Sequence, residues 1–191
     1  MHHYLLKEIA EREHLSDLDT ELCMKCSESV SVLKNTILEE AGKIPQYLYY
    51  IVSGFMRLFY YDENGDEATM HINCPHGFFT AFSHFSNQSI SPVNVECITD
   101  CELLRISKPN YDILMKESVV WKDYSLFVLQ ESMTYHENRS KDLATLTADQ
   151  RYRKLMETHP EIIQNVPLQY IASFLGMKPE SLSRIRRNLI T

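Results

Sequence analysis

Val166–Thr191 reads VPLQYIASFLGMKPESLSRIRRNLIT. Its spacing predicts two short helices joined by a glycine turn. Leu168, Ile171 and Leu175 fall at i, i+3 and i+7, with the small Ala172 beside them. Gly176 stands where a helix commonly ends in a left-handed residue. Pro179 suits the first turn of the helix that follows. Leu182, Ile185 and Leu189 make the apolar stripe of that second helix, and Glu180, Ser181, Ser183, Arg184 and Arg187 lie off it. Such a pair is a helix-turn-helix, whose second helix can lie in the DNA major groove. A helical hairpin with a solvated basic face satisfies the same pattern, so the rest of the chain has to discriminate.

Charge is the first discriminator. The 191 residues carry a formal net charge of −7, which by itself argues against a polyanionic partner. The distribution argues the other way. Residues 139–191 hold nine Lys/Arg against five Asp/Glu, and the preceding residues hold ten against twenty-one. A basic tail on an acidic body concentrates the attraction for phosphate in one place.

Upstream, residues 4–26 read as helix, with Ser16-x-x-Asp19 a possible restart or cap. Residues 29–40 turn strand-like. Short β segments follow at Tyr47–Val52, Phe55–Tyr61, Glu67–Asn73, Val93–Thr99 and Glu102–Ile106, separated by turn residues. Asn64-Gly65 is a strong hairpin signal. Many short strands with regular turns predict a sandwich or jelly-roll barrel of about eight strands. After Pro109 the period changes to helical. Val119–Leu146 contains neither Gly nor Pro and reads as one long helix, apolar on more than one side, which points to pairing with a second copy. Ala148–His159 is a further helix ending at Pro160. The expected fold is α+β, with a β-roll effector domain over 1–117, a long dimerisation helix and hinge over 118–146, and a helix-turn-helix domain over 147–191.

With these pieces in order, the chain resembles the Crp/Fnr family of bacterial transcription regulators over nearly its whole length. The resemblance rests on the Tyr49-x-x-x-x-Gly54 rhythm within YLYYIVSGFMRLFYYDENGDEATM, on DCELLRISKPNYDILM, and most specifically on YIASFLGMKPESLSRIRRNL. It implies a jelly-roll effector domain, a dimerisation helix and a DNA reader in a homodimer. Glu180 and Arg184 match that family's Glu-x-x-x-Arg, which meets base edges. One turn apart on one face, they can reach neighbouring base pairs, Arg at guanine and Glu at cytosine. Ser181 and Ser183 are candidates for base or phosphate contacts, and Lys178, Arg186 and Arg187 for phosphate. Pro179 departs from the basic or polar residue of many relatives. The chain ends two residues after Leu189, so the β-wing that commonly follows the reader helix is not in this sequence.

The family's familiar ligand is a cyclic nucleotide, whose phosphate needs backbone amides and an Arg. Here Ala81-Phe82 and Ser91-Pro92-Val93 replace the family's Gly-Glu and Arg-Ser/Thr-Ala. No Lys or Arg occurs from Leu58 to Leu104, while seven acids do. A buried phosphate there is expected to find no cation within the domain. Phe79, Phe82, Ser91 and Val93 remain as candidates for an effector pocket. Phe78, Phe79, Phe82 and Phe85 could line an apolar pocket but read first as core.

Cys23-x-x-Cys26 is too few thiols for an iron–sulfur cluster, and Cys74, Cys97 and Cys101 stand at no recognisable spacing. His71-x-x-Cys74-x-His76 and His84 are zinc-ligand types without a zinc motif. No enzyme signature occurs. No cofactor, metal or membrane partner is expected. A start without an apolar core points to a cytoplasmic protein with reduced thiols. The expected function is a homodimeric regulator that binds double-stranded DNA, with RNA polymerase a further candidate partner, and that is not controlled by a classical cyclic nucleotide. The alternatives are a small-molecule sensor acting through protein partners with a vestigial DNA-binding tail, and a cupin-like enzyme.

Overall fold

The N-terminal helical stretch is two helices, α1 (His2–Ala10) and α2 (Asp17–Cys26). Ser16 is the reason. Its Oγ accepts from Asp19 N–H at 3.2 Å and its own N–H donates to Asp19 Oδ2 at 3.0 Å, a capping box that starts a new helix. The computed structural model describes residues 1–190, with only the backbone of Ile190; Thr191, the last residue of the stretch quoted first, lies outside the described residues.

Eight strands follow: β1 (Glu28–Val32), β2 (Ile37–Glu39), β3 (Tyr47–Ser53), β4 (Met56–Tyr61), β5 (Glu67–Asn73), β6 (Gly77–Phe79), β7 (Asn94–Cys97) and β8 (Cys101–Ser107), with α3 (Phe82–Asn87) between β6 and β7. They form two antiparallel sheets of order β1-β8-β3-β6 and β2-β7-β4-β5. Tyr49, Ile51, Met56, Val95 and Leu103 fill the space between the sheets. Leu48, Tyr50, Leu104 and Ile106 face the other way, onto the helices, so β3 is apolar on both faces. Gly54 turns the chain from β3 to β4 at φ +94°, and a Cβ there would lie 2.4 Å from the Asp100 carbonyl oxygen. Only glycine fits.

The hairpin from β4 to β5 closes on Asp62, whose Oδ1 accepts from Asn64 and Asp66 N–H at 2.8 and 3.0 Å. Within that pair the register shifts. Leu58 opposes His71, but Phe59 opposes Thr69, which leaves Met70 as a bulge. Thr69 and Ile72, three residues apart, therefore share the outer face of the sheet.

Helices α4 (Lys108–Glu117) and α5 (Val119–Thr145) follow the roll. Trp121 and Tyr124 of α5 are buried against α1, α2 and β3. Glu8 ties three elements together, accepting from the Tyr50 and Tyr124 hydroxyls at 2.6 Å each. Cys23 and Cys26 belong to this core, and burial pushes the Cys23 thiol up to about 11. They are packing residues, apart from Cys97 and Cys101, which lie between the sheets.

The chain closes with α6 (Ala148–Thr158), α7 (Pro160–Asn165), α8 (Leu168–Phe174) and α9 (Pro179–Ile190). The extra helix α7 corrects the sequence reading. Pro160 was expected only to end α6, but it also opens α7, where its missing N–H costs nothing. The core of these helices is continuous with Phe55, Ile72 and Ile98 of the roll. Among the described residues no helix is long and apolar enough to cross a membrane.

Candidate reader helix and effector cavity

The turn between α8 and α9 has a complete Schellman geometry. Met177 N–H donates to the Ala172 carbonyl at 3.0 Å and Gly176 N–H to the Ser173 carbonyl at 3.0 Å, with Gly176 at φ +66°. The Lys178 carbonyl then accepts from Ser181 and Leu182 N–H, at 3.0 and 3.2 Å, and starts α9 with Pro179 as its first residue. Leu182 is fully buried against Ile171, Ala172 and Leu175, with Ile185 and Leu189 beside it. Lys178, Glu180, Arg184 and Arg187 are exposed, while Ser181 and Ser183 are half-buried. Among the described residues no ion pair joins Glu180 to Arg184, so both present their polar ends to solvent.

Several of the tail's other cations have internal partners. Arg153 pairs with Asp149 at 2.8 Å and Lys154 with Asp142 at 2.6 Å. The Arg151 guanidinium donates to the Leu175 carbonyl at 2.9 Å and to the Leu146 carbonyl at 2.6 Å, which pins the end of α8 to the end of α5. Arg139 lies 4.0 Å over the Phe174 ring. Lys178 and Arg184 are exposed and lie outside these contacts.

Helix α8 sits on the roll. Thr69 N–H of β5 donates to Ser173 Oγ at 2.8 Å, and that hydroxyl donates to the Glu67 carbonyl at 3.2 Å. Beside this contact the roll does hold a buried cation, contrary to the expectation of none. Arg57 stands one residue before the span that lacks them. It is 1% exposed, pairs with Glu96 and Glu67, and stacks at 3.6 Å on Tyr170 of α8. With two carboxylates and a ring on it, Arg57 is fully engaged on the outer face of the sheet.

A cavity of about 1270 Å³ opens between the roll and α5. Leu48, Phe78, Phe79, Phe82, Val93, Leu114, Trp121 and Val128 give it apolar walls. Of the four residues expected at an effector pocket, it brings together Phe79, Phe82 and Val93. Ser91 is elsewhere: its hydroxyl bonds the backbone of Val93, at 3.2 Å to both N–H and carbonyl, and holds the turn before β7. Phe85 is core. Thr80 carries no signal in the sequence. Its hydroxyl is buried at the cavity wall and has no hydrogen-bond partner among the described residues.

The zinc-type residues diverge. His71 faces the cavity, 4.9 Å from the Tyr135 ring and 5.2 Å from that of His136. His76 packs near Tyr4 and Tyr50, and His84 bonds Ser89. Burial drives His71 down to about 3, with His136, Arg139 and His159 adding repulsion, and burial lowers His136 as well. Both imidazoles are neutral near pH 7. The charged residues lining the cavity are Glu131 and Glu137, with no Lys or Arg among the described residues.

Residues 29–118 match the model of the cyclic nucleotide-binding domain. No curated protein sequence matches the chain. Solved structures do. A protein of Eubacterium rectale, described as a transcriptional regulator of the Crp/Fnr family, superposes with a TM-score of 0.71 at 19% identity over 91% of this chain and 83% of its own.

The chain has the Crp/Fnr fold.

FixK2 of Bradyrhizobium japonicum shares this fold with a TM-score of 0.73, at 16% identity over 85% of this chain and 84% of that one. So does CLP of Xanthomonas campestris, a c-di-GMP-responsive global regulator, with a TM-score of 0.69 and 18% identity over 91% of each chain. In this fold the roll comes first, α5 is the long helix that follows it, and α8–α9 form the C-terminal helical pair. The chain shares the architecture of these neighbours over 85–91% of its length.

Proposed function

We propose that this protein is a homodimeric, sequence-specific DNA-binding regulator of the Crp/Fnr type, with α9 as the reader and an uncharged, largely apolar effector in the roll cavity. One observation carries the reading. Glu180 and Arg184 stand exposed, one turn apart, on a helix whose other face is anchored by the fully buried Leu182. That arrangement offers an acceptor and a bidentate donor to adjacent base pairs. Ser181 and Ser183 flank them, and Lys178, Arg186 and Arg187 supply phosphate contacts.

Dimer formation is supported by α5. Leu126 and Met133 are 56% and 64% exposed, and they fall on one stripe with the half-buried Leu129. That is coiled-coil spacing, with Leu126 and Met133 open to solvent. Paired α5 helices would set the two readers about 34 Å apart, one turn of DNA. The units then divide as roll (1–117), long helix and hinge (118–146) and reader module (147–191).

The effector reading rests on the cavity's chemistry. A cyclic nucleotide would bring an anionic phosphate to a wall whose charged residues are Glu131 and Glu137, with the neutral imidazoles of His71 and His136 beside them. An apolar molecule would meet ring and aliphatic surface, and one polar group on it would satisfy Thr80. Coupling to the reader would run through β5, which turns His71 to the cavity and Thr69 and Ile72 to α8.

The test is fluorescence anisotropy with labelled duplexes at several salt concentrations. Counterion release makes the affinity of a DNA reader fall steeply with salt. Binding that ignores salt and sequence would favour a sensor that acts through protein partners. Millimolar cyclic AMP is expected to leave the melting temperature unchanged; a saturable increase would refute the apolar-effector part alone.

A further inference from the structure

Three donor groups from distant parts of the chain converge away from the reader, at the end of the cavity that meets the helical module, where Cys74 and His159 line the wall and Glu161 stands beside them. Cys74 follows β5, His159 links α6 to α7, and Glu161 lies in the first turn of α7. The thiol sulfur, a ring nitrogen and a carboxylate oxygen all lie within 4.8 Å of one another, and each residue is half-buried. His159 Nδ1 stands 3.1 Å from Glu161 Oε1.

The backbone under each donor is held independently of the cluster. Asn73 Nδ2 donates to the Phe78 carbonyl at 3.1 Å, and Cys74 N–H donates to Asn73 Oδ1 at 3.1 Å. Gly77 fits under that amide, where a Cβ would come within 2.8 Å of Nδ2. On the other side, His159 N–H donates to the Leu155 carbonyl at 2.8 Å, and the His159 carbonyl accepts from Ile162 N–H at 3.1 Å. Pro160 then fixes the backbone between the two donors it separates.

We propose that Cys74, His159 and Glu161 form a site for a divalent transition ion of the zinc class, which clamps the helical module to the roll. A thiolate, an imidazole and a carboxylate suit a borderline-soft ion, with bonds of about 2.0–2.3 Å. Donors on a tetrahedral shell of that size stand roughly 3.3–3.8 Å apart, so side-chain adjustments of about 1 Å close the site. Hard cations such as Ca²⁺ and Mg²⁺ prefer oxygen alone and are poor candidates. Binding replaces the S–H bond of Cys74 by an S–metal bond and releases the proton to solvent; imidazole and carboxylate bind through lone pairs. Three protein ligands leave a fourth position for water. The cross-link joins the end of β5 to the start of α7, on the side of the roll where Ser173 meets β5 and Tyr170 meets Arg57 of β4. The site does not depend on the DNA reading.

The experiment is a Co²⁺ titration of the full-length chain after EDTA dialysis. It is followed by absorbance in the near ultraviolet, where thiolate-to-cobalt charge transfer appears, and in the visible. One Co²⁺ per chain with a thiolate band is expected, displaced by Zn²⁺. Cys74→Ser should lose the band. His159→Ala and Glu161→Gln should each weaken binding by more than the roughly 10–100-fold that loss of a supporting outer-shell group costs. His2→Ala/His3→Ala controls for the N-terminal histidine pair and should bind as the unmodified chain does. Zn²⁺ should raise Tm in the unmodified protein and not in Cys74→Ser. Circular dichroism checks the fold of each variant; Glu161→Gln, the mildest change, carries the test if the others fail to fold. A saturated chain without a thiolate band, a band that survives Cys74→Ser, or an affinity untouched by Glu161→Gln would overturn the site.

Discussion

Replacing Arg57 by Met removes one buried cation and keeps most of the side-chain volume. The Glu96 side chain, 9% exposed, is then left in the sheet without a partner, whereas Glu67, 38% exposed, can turn to water. Breaking a buried pair from one side typically costs about 3–5 kcal/mol, because the surviving charge stays desolvated. The lost stack on Tyr170 adds about 0.5–2 kcal/mol, and apolar contacts of the Met side chain offset part of this. The expected loss is about 3–5 kcal/mol. Urea unfolding measures it, followed by far-UV dichroism and by the fluorescence of Trp121, which reports on the roll–α5 core. Because Arg57 also holds α8, the two signals should separate in the variant, with the helical module melting first. Arg57→Met/Glu96→Met removes both charges and should recover most of the stability. A loss under about 1 kcal/mol for Arg57→Met would refute the claim that this cation holds the outer face of the roll.

Three further predictions follow from single sites. His71 ordinarily titrates near 6.5 and is lowered to about 3, facing Tyr135, His136, Arg139 and His159. The unfolded chain therefore binds more protons below pH 6.5, and stability should fall as pH drops from 6.5 toward 3, by at most about 1.4 kcal/mol per unit. His71→Gln should flatten that slope in urea midpoints taken at pH 7, 6 and 5; an unchanged slope would refute the buried neutral imidazole. Gly54→Ala should cost far more than Gly176→Ala in thermal melts. Both have positive φ, but the new Cβ meets backbone at 2.4 Å in the first and only Leu143 Cδ2 at 3.5 Å in the second. Thr80→Val replaces an unpartnered hydroxyl by a methyl and should raise apo stability by roughly 1 kcal/mol, whereas a loss would mean that Thr80 has a partner in solution.

The architecture was legible because strong local signals agreed with the tertiary solution. Tyr47–Ser53 is buried on both faces, as a central strand with an uninterrupted apolar run should be. Gly176 and Pro179 announced their turn because few residues satisfy a left-handed cap and a helix start. Features without a local signature escaped. The bulge at Met70 breaks the period of two, so nothing in the sequence places Thr69 and Ile72 on one face. Pro160 is ambiguous, because a proline can end one helix and begin the next. Arg57 lies one residue before the cation-free span, and the seam between α8 and β5 exists only once the chain is folded. Ser91 was placed by analogy with a family position, and its hydroxyl is occupied by its own turn. The convergence of Cys74 with His159 and Glu161 spans the roll and the helical module, a separation that residue spacing does not encode.

The most direct test of the central claim is selection from random duplex DNA by the full-length protein, repeated with Arg184→Ala. The account predicts enrichment of a twofold-symmetric sequence with half-sites about one helical turn apart. It further predicts that Arg184→Ala relaxes the choice at one base pair per half-site, at a cost of about 1–3 kcal/mol. No enriched sequence, or an equal loss on every sequence with Arg184→Ala, would contradict α9 as the reader.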